Sequence, residues 1–226
     1  MVISKNKNIS TVEDFTETEP WRIFRIMSEF TDATEALSDY RPTVVFFGSA
    51  KSSRNDKYYK MAERTAALLA KHKYNIVTGG GPGIMEAANK GAFKSGGESL
   101  GLNIALPMEQ KPNKYIKTLV NFHYFFIRKV MFMRYAMAFL IFPGGYGTFD
   151  ELFEALTLIQ TKRSDRIPVI LIGSEFWRGL VKFMEEEMAE RGYIEKQDLK
   201  IYKVADTPEE VLKIIKQVSK KRKHKK

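Results

Sequence analysis

The sequence predicts an α/β protein with a Rossmann-like, doubly wound and mainly parallel sheet, helices on both faces and an additional N-terminal helix. Three observations support this fold class. Short apolar segments alternate along the chain with longer segments of helical periodicity, which is the order of βαβ units. The apolar segments are hydrophobic at nearly every position, as strands buried on both faces are. Several of them end in glycine, where a parallel sheet turns into its next helix.

The elements can be justified in chain order. A first helix is predicted over residues 20–37, because Pro20 suits a first helical turn and apolar residues recur at helical spacing. These apolar residues are Trp21, Ile23, Phe24, Ile26, Met27 and Phe30. Strands are predicted at residues 43–47, 74–78, 98–104, 137–142, 168–172 and 200–205. Helices are predicted at residues 59–72, 84–96, 127–136, 149–160, 175–192 and 209–218.

These elements predict three regions. Residues 1–40 are an N-terminal extension with the amphipathic helix, residues 41–218 are the Rossmann-like domain, and residues 219–226 are a basic tail. Six of the last seven residues are Lys or Arg, so without them the net charge of +10 would fall to 10 − 6 = +4. We interpret the tail as a solvated, disordered run. A nucleic-acid contact is the alternative, although no aromatic residue in the tail could stack on bases.

The composition excludes several classes of protein. There is no cysteine, so disulfides and thiolate metal sites are impossible. The first twenty residues lack the apolar core of a signal peptide, and no apolar run approaches the roughly 18 residues of a membrane helix. We therefore expect a cytoplasmic protein without a membrane partner. No metal is predicted, since the chain has three histidines and His72 and His123 are not at ligand spacing.

Glycine-containing turns follow three of the predicted strands, and parallel topology brings them to one edge of the sheet. Such turns offer free backbone N–H groups to an anion, usually a phosphate. Neither G-x-G-x-x-G with a ribose-binding acid nor a P-loop lysine is present, which disfavours NAD, FAD and P-loop ATP hydrolysis. Tight turns without any ligand remain the alternative. The candidate binding residues in these turns are Gly48, Ser49, Gly80, Gly81, Gly83, Gly144, Gly145 and Gly147.

Acidic residues follow the last of these glycine turns. Thr148 and Glu151 have the T-x-x-E spacing of a capping box, so Glu151 can be read as a helix cap and Asp150 as a favourable charge at the helix N-terminus. Alternatively, Glu151 is a functional carboxylate beside a bound phosphate. That second interpretation requires a nearby cation, which Arg128 or Lys129 could supply.

The motifs GGGPGIMEAANKGA at residues 79–92, RK at residues 128–129 and PGGYGTFDE at residues 143–151 closely resemble the LOG family, over residues 41–204. This resemblance implies a Rossmann-like homodimer of the longer bacterial branch, in which residues 41–218 are the nucleotide-binding catalytic domain. It also implies a nucleoside 5′-monophosphate phosphoribohydrolase, which cleaves the N-glycosidic bond of AMP or a related purine or cytokinin nucleotide. The products would be a free base and ribose 5-phosphate. No cofactor is expected.

The resemblance implies that Arg128 and Glu151 are catalytic. Arg128 would anchor phosphate or ribose and keep Glu151 ionised, and Glu151 would stabilise an oxocarbenium-like state and activate water. The phosphate would bind at Gly144, Gly145, Gly147 and Thr148, with Lys129, Met85 and Glu86 nearby.

Glu86 departs from the short cytokinin type, which has glycine there, and this puts an isoprenylated adenine in doubt. The family's older description, possible lysine decarboxylase, is disfavoured because no motif offers a buried lysine for pyridoxal phosphate. A non-catalytic nucleotide-binding regulator and a nucleic-acid-associated protein using the basic tail remain the rival functions.

Overall fold

The computed structural model describes residues 22–105, 111–164 and 167–223. Within them the chain forms seven strands: β1 (Thr43–Phe47), β2 (Asn75–Thr78), β3 (Ser99–Ile104), β4 (Thr118–Phe122), β5 (Ala136–Ile141), β6 (Val169–Ile172) and β7 (Tyr202–Ala205). The helices are α1 (Arg22–Leu37), α2 (Lys57–Lys71), α3 (Ile84–Lys94), α4 (Phe125–Tyr135), α5 (Tyr146–Gln160), α6 (Ser174–Phe183) and α7 (Pro208–Lys223). A π-helical stretch at Met184–Ala189 continues α6.

All strands belong to one parallel sheet in the order β4-β3-β2-β1-β5-β6-β7. Val45 in β1 pairs with Val77 of β2 on one side and with Phe139 of β5 on the other. The chain therefore winds outward from β1 to β4 and then returns to the other side of β1. In open α/β sheets, the crevice at such a reversal is where ligands bind.

Helices cover both faces of the sheet, and successive residues of a strand face opposite layers. In β1, Val44 and Phe46 pack with α2, α3 and α7, whereas Val45 and Phe47 pack with α1, α4, α5 and α6. Each such buried side chain stabilises the fold by about 1.5–3 kcal/mol. This two-sided burial confirms the predicted doubly wound fold and explains the continuously apolar strands.

The predicted N-terminal helix is confirmed over α1, while Pro20 and Trp21 lie outside the described residues. Its apolar residues divide between two faces. Ala33 and Leu37 belong to the core, and Ile26 and Phe30 pack against it. The side chains of Ile23, Phe24 and Met27 are each about 60% exposed. One face of α1 is thus part of the main core, and the other is an apolar surface.

The sequence-based prediction missed β4. This edge strand alternates between more exposed and more buried positions and carries polar residues, so it lacks the apolar run that marks its neighbours. At the other end of the chain, α7 continues to Lys223, and its backbone extends into the segment predicted as a basic tail. None of the helices in the described ranges is long and apolar enough to span a bilayer.

Candidate active site

Three loops meet at the carboxyl ends of β1, β2 and β5, as predicted. The backbone of Ser49, just after β1, joins them: its N–H donates to the Pro143 carbonyl (3.0 Å) and its carbonyl accepts from the Ile84 N–H (3.0 Å). Residues 79–83, here called the β2 turn, and residues 143–147, here called the β5 loop, therefore lie side by side. They occupy the position where the winding of the sheet reverses.

The β5 loop presents a row of backbone donors. Helix α5 begins at Tyr146, with Gly145 at the N-cap position. Among the described residues, the N–H groups of positions 144–147 donate to no protein acceptor. A methyl group added at Gly145 or Gly147 would meet no atom within 4 Å. Free donors at the positive end of a helix, with open space in front of them, are suited to an anion.

The capping box predicted for Thr148 and Glu151 is wrong. The N–H groups of Thr148 (2.9 Å) and Phe149 (3.1 Å) both donate to the Gly145 carbonyl, so α5 starts before Thr148. Thr148 is buried against Gly144, where an added methyl group would lie 2.1 Å from its Oγ1. Glu151 consequently lies in the second turn of the helix, where it cannot close a capping box.

Glu151 is largely removed from water, and its carboxylate makes no hydrogen bond or ion pair within the part of the chain that the structure describes. Burial raises the pKa of Glu151 to about 7. Lys129 and, more weakly, Arg128 oppose the increase, while Glu154 and Asp150 add to it. Arg128 was expected to keep Glu151 ionised, and its charge does lower the pKa of Glu151, but dehydration outweighs this attraction. A carboxyl with such a pKa can accept or donate a proton near neutral pH.

Arg128 projects from α4 toward the β2 turn. Its Nε donates to the Leu102 carbonyl (2.8 Å), and its guanidinium lies 5.2 Å from the Phe132 ring centroid. A methyl group added at Gly79 would lie 2.5 Å from its Nη2. Burial lowers the pKa of Arg128, and the nearby Glu151 opposes this. The terminal guanidinium nitrogens donate to no acceptor among the described residues, so they are available to a ligand.

Lys129, predicted to bind substrate, is engaged by protein carboxylates. Its Nζ lies 2.8 Å from Asp150 Oδ2, 2.9 Å from Asp150 Oδ1 and 2.8 Å from Glu154 Oε2. Although burial favours the neutral amine, the contacts with Asp150 and Glu154 dominate and raise the pKa of Lys129. Its ammonium group is therefore a bridge between two acids of α5.

The β2 turn is held by polar residues that the sequence analysis missed. The Asn113 side chain donates to the carbonyls of Gly80 (3.1 Å) and Gly81 (3.0 Å) and to Asn89 Oδ1 (2.9 Å). Asn89, fully buried, also accepts from the Thr78 hydroxyl (2.7 Å). Asn89 lies within the quoted GGGPGIMEAANKGA motif, whereas nothing local distinguishes Asn113 as a contact of the turn.

Met85 and Glu86 lie in the first turn of α3, but their side chains contact different neighbours. A methyl group added at Gly79 would lie 2.9 Å from Met85 Sδ, so Met85 borders the same glycine as Arg128. The Glu86 carboxylate instead accepts from Arg54 Nη2 (2.7 Å) and the Tyr59 hydroxyl (3.1 Å). The structure thus places Met85 beside Arg128, while Glu86 contacts α2 and the loop before it.

A cavity of about 620 Å³ opens beside the β5 loop on the outer side of α5. Aromatic and charged side chains line it together. They include Lys129, Tyr146, Phe149, Phe153 and Glu154. The Tyr146 side chain is 97% exposed, although it follows directly on Gly145. An exposed aromatic ring and a wide cavity therefore stand next to the free N–H groups.

These features define a class of protein: a Rossmann-like α/β protein with a loop of free N–H groups at the reversal of its sheet and, on the helix that follows, a carboxyl without an ion-pair partner among the described residues. The solved structures agree with the fold. The X-ray structure of TM1055, a structural genomics target, is 26% identical with a TM-score of 0.59, covering 77% of this chain and 98% of that one. A molybdenum cofactor binding protein from Rippkaea orientalis, 21% identical with a TM-score of 0.58, shares the fold over 78% of this chain and 94% of its own.

The family follows from the sequence comparisons. The protein-family model described as possible lysine decarboxylase matches residues 85–215 of the sequence, more than half of the chain. The chain belongs to this family, also known as the LOG family, which confirms the resemblance.

Two relatives have named activities. The cytokinin riboside 5′-monophosphate phosphoribohydrolase of Rhodococcoides fascians is 31% identical over 170 residues, 72% of this chain and 84% of the relative. The pyrimidine/purine nucleotide 5′-monophosphate nucleosidase of Escherichia coli K12 is 30% identical over 152 residues, 61% of this chain and 34% of the relative.

Proposed function

We propose that this protein hydrolyses the N-glycosidic bond of a nucleoside 5′-monophosphate, AMP or a related purine or cytokinin nucleotide. The observation that carries the proposal is that one helix, α5, has free N–H groups at its start and, five residues on, the partly buried carboxyl of Glu151, which has no ion-pair partner among the described residues. At 1.5 Å per residue, Glu151 lies about 7–8 Å along the axis from Tyr146. That separation suits a 5′-phosphate at the loop and the anomeric carbon near the carboxyl. The names of the two relatives support the same chemistry.

The β5 loop would bind the phosphate. Its backbone donors and the helix dipole stabilise a dianion, and the Thr148 hydroxyl is a further donor close to Gly144. Arg128, with free terminal nitrogens, would anchor phosphate or ribose from the side of the β2 turn. Holding the phosphate fixes the sugar relative to Glu151 and so lowers the entropic part of the barrier.

Glu151 would act at the bond that breaks. As the C–N bond breaks, its electron pair leaves with the base and positive charge develops on the sugar, which an ionised Glu151 stabilises. Water then forms the new C–O bond and transfers a proton to the carboxylate, which passes this proton to the departing base. The products are the free base and ribose 5-phosphate. Because the pKa of Glu151 is about 7, one carboxyl can both accept and release that proton near neutrality.

The base would extend toward the cavity beside Tyr146. Its aromatic walls suit a flat ring, and its volume of about 620 Å³ leaves room for an N6 substituent. Glu86 does not narrow this space, because its carboxylate is bound by Arg54 and Tyr59. The lining of this cavity includes neither Arg128 nor Glu151, so a panel of plain and modified purine nucleotides has to decide which base is preferred.

The test is to incubate purified protein with AMP, other nucleoside 5′-monophosphates and adenosine, and to measure free base and ribose 5-phosphate by chromatography. We expect base release from a purine monophosphate and turnover of adenosine that is at least ~100-fold slower, because adenosine lacks the dianion. Equal turnover of AMP and adenosine would contradict the role of the β5 loop. No base release from any nucleotide would contradict the function itself.

Lysine decarboxylation, which the family's description suggests, does not fit the residues of this site. Pyridoxal phosphate needs a lysine amine that can form a Schiff base. The lysine of the site, Lys129, is held by Asp150 and Glu154, and its pKa is raised, which keeps the amine protonated and poorly nucleophilic.

We also propose a homodimer whose interface includes the exposed apolar surface of α1. Ile23, Phe24 and Met27 form this surface, and Phe125 and Phe126 at the start of α4 are also exposed. Apolar surfaces of this kind are commonly covered by a partner. Light scattering should give twice the chain mass at micromolar concentration, and a monomer mass would contradict the proposal. The absence of cysteine supports a reducing compartment, and we propose a cytoplasmic location.

A further inference from the structure

Three carboxylates lie within five residues near the start of α5, and only two of them have an ion-pair partner among the described residues. Asp150 and Glu154 both contact the Lys129 ammonium, at 2.8 Å each. Glu151, which lies between them in sequence, makes no ion pair within the described residues. The Lys129 ammonium thus pairs with Asp150 and Glu154 and leaves Glu151 without an ion pair among the described residues.

The geometry of Lys129 suits this role. It extends from α4, its side chain is 19% exposed, and it contacts Asp150, which is well exposed, and Glu154, which is 27% exposed. The charged groups that face Glu151 come from the same two helices: Arg128 and Lys129 from α4, and Asp150 and Glu154 from α5. Without Lys129, two uncompensated negative charges would flank Glu151 in a poorly hydrated place.

We propose that Lys129 is a positioning residue of this site, whose ammonium pairs Asp150 and Glu154 so that Glu151 alone remains available for proton transfer. This inference rests on the proposed function for its catalytic meaning. It differs from the role that the family resemblance implies, in which Lys129 binds substrate. The ammonium is already occupied by two protein carboxylates, and its positive charge acts through them on Glu151.

The physical consequence is electrostatic. A carboxylate close to other uncompensated carboxylates is harder to ionise, so losing Lys129 would raise the pKa of Glu151 further. Losing the Glu154 charge has the opposite effect, since it removes a repulsion and leaves Lys129 freer to attract Glu151. Opposite shifts from two partners of one ion pair are a signature that a purely structural role does not produce.

The experiment compares Lys129→Met, Glu154→Gln, the double variant Lys129→Met/Glu154→Gln and Lys129→Arg with the unmodified protein. The readouts are the pH profile of kcat/KM for AMP and the titration of the Glu151 carboxyl by ¹³C NMR, assigned with Glu151→Gln. For Lys129→Met we expect the apparent pKa to rise by about one unit, which lowers kcat/KM at pH 7 about fivefold. Glu154→Gln should lower the pKa, the double variant should lie between the two, and Lys129→Arg should keep the original value.

Lys90→Met is a matched control. Lys90 is 17% exposed and lies 2.8 Å from Glu63, which is 26% exposed, so its environment is similar but remote from α5. The Lys90→Met variant should lower the melting temperature as Lys129→Met does, but it should leave the pKa of Glu151 measured by NMR unchanged. The proposal would be overturned if Lys129→Met and Lys90→Met gave the same titration, or if Glu154→Gln and Lys129→Met shifted it in one direction. Because the NMR titration needs no substrate, it separates this failure from a failure of the proposed function.

Discussion

The β2 turn and the β5 loop are both rich in glycine, but their glycines serve different purposes. In the β2 turn, Gly80 and Gly83 have positive φ angles, and a methyl group at Gly83 would lie 2.2 Å from the Ser49 carbonyl oxygen. The carbonyls of Gly80 and Gly81 are bound by Asn113. In the β5 loop, a methyl group added at Gly145 or Gly147 would meet no atom within 4 Å, and both residues have ordinary φ angles.

This difference separates glycines that the fold needs from glycines that a ligand would need. The β2 turn is completed by the protein itself, because other parts of the chain fill the space that a side chain would occupy. In the β5 loop, Gly144 is also closely packed, but Gly145 and Gly147 keep both space and N–H groups unused by the described residues. Substitutions in the β2 turn should therefore change stability, whereas substitutions at Gly145 and Gly147 should change binding and turnover.

The largest effect is expected for Gly83→Ala. With φ at +66° and a backbone oxygen in the way, alanine should lower the free energy of unfolding by at least about 3 kcal/mol, measured by urea denaturation. Gly96→Ala is the matched control, since Gly96 has φ +71° but no neighbour within 4 Å. It should lose only about 1 kcal/mol from the backbone conformation. Equal losses would show that the contact with Ser49 is unimportant.

Glu151→Gln should reduce turnover of AMP by at least ~100-fold while the protein remains folded, because the amide cannot stabilise positive charge or accept the proton. The measurement is free-base release, with circular dichroism as a check of folding. Asp150→Asn, on the exposed side of α5, should have a much smaller effect. Near-unmodified activity of Glu151→Gln would place the catalyst elsewhere.

The same variant makes a prediction about pH and stability. The folded-state pKa of Glu151, about 7, lies above the ordinary value of 4.5, so the folded protein binds the proton more tightly than the unfolded chain. Stability is therefore lost as the pH rises from about 4.5 to about 7, by up to about 3 kcal/mol. Glu151→Gln should melt at a higher temperature than the unmodified protein at pH 8, and this gain should shrink at pH 5. A constant difference would contradict the raised pKa.

Asn113→Ala should lower the free energy of unfolding by about 1–2 kcal/mol, because it removes the side-chain donor to the Gly80 and Gly81 carbonyls and leaves only the backbone N–H of residue 113 bound to Gly80. The comparison is Asn121→Ala, whose side chain accepts one hydrogen bond from Asn103 at an exposed position. That variant should lose less than about 0.5 kcal/mol. Similar losses in chemical denaturation would show that Asn113 does not brace the turn.

Gly145→Ala should have the smallest effect on the fold. The backbone angles at Gly145 suit alanine and no atom is near, so the melting temperature should stay unchanged. The added methyl group would stand in front of the free N–H groups and should raise the KM for AMP about tenfold, about 1.4 kcal/mol of binding. An unchanged KM would show that the phosphate binds away from the β5 loop.

Local patterns predict much of this fold because the central strands are buried on both faces. Val44 and Phe46 face one layer of helices, and Val45 and Phe47 face the other layer. Because every position of the strand is buried, the strand is apolar throughout its sequence. The edge strand β4 lacks an apolar run, because its residues alternate between more buried and more exposed positions and it pairs with one neighbouring strand only. Strand boundaries in the centre of the sheet could therefore be predicted, but this edge strand could not.

The candidate site was predictable in its parts and not in its electrostatics. The positions of Arg128, Glu151 and the glycines follow from motifs and topology. The partners of Lys129 depend on how α4 packs against α5, and the pKa of Glu151 depends on how much water is excluded. Asn113 braces residues more than thirty positions earlier in the chain. Such long-range effects leave no local pattern in the sequence.

The backbone hydrogen bonds of Ser49 have a consequence for motion. Its N–H and carbonyl groups bond to Pro143 and Ile84, so one backbone unit ties the ends of β1 and β5 to the start of α3. The end of β1, the end of β5 and the start of α3 therefore cannot move far apart without breaking one of these hydrogen bonds. Amide hydrogens in the β2 turn and at Ser49 should therefore exchange with solvent in a single cooperative opening, rather than through independent fluctuations of three loops.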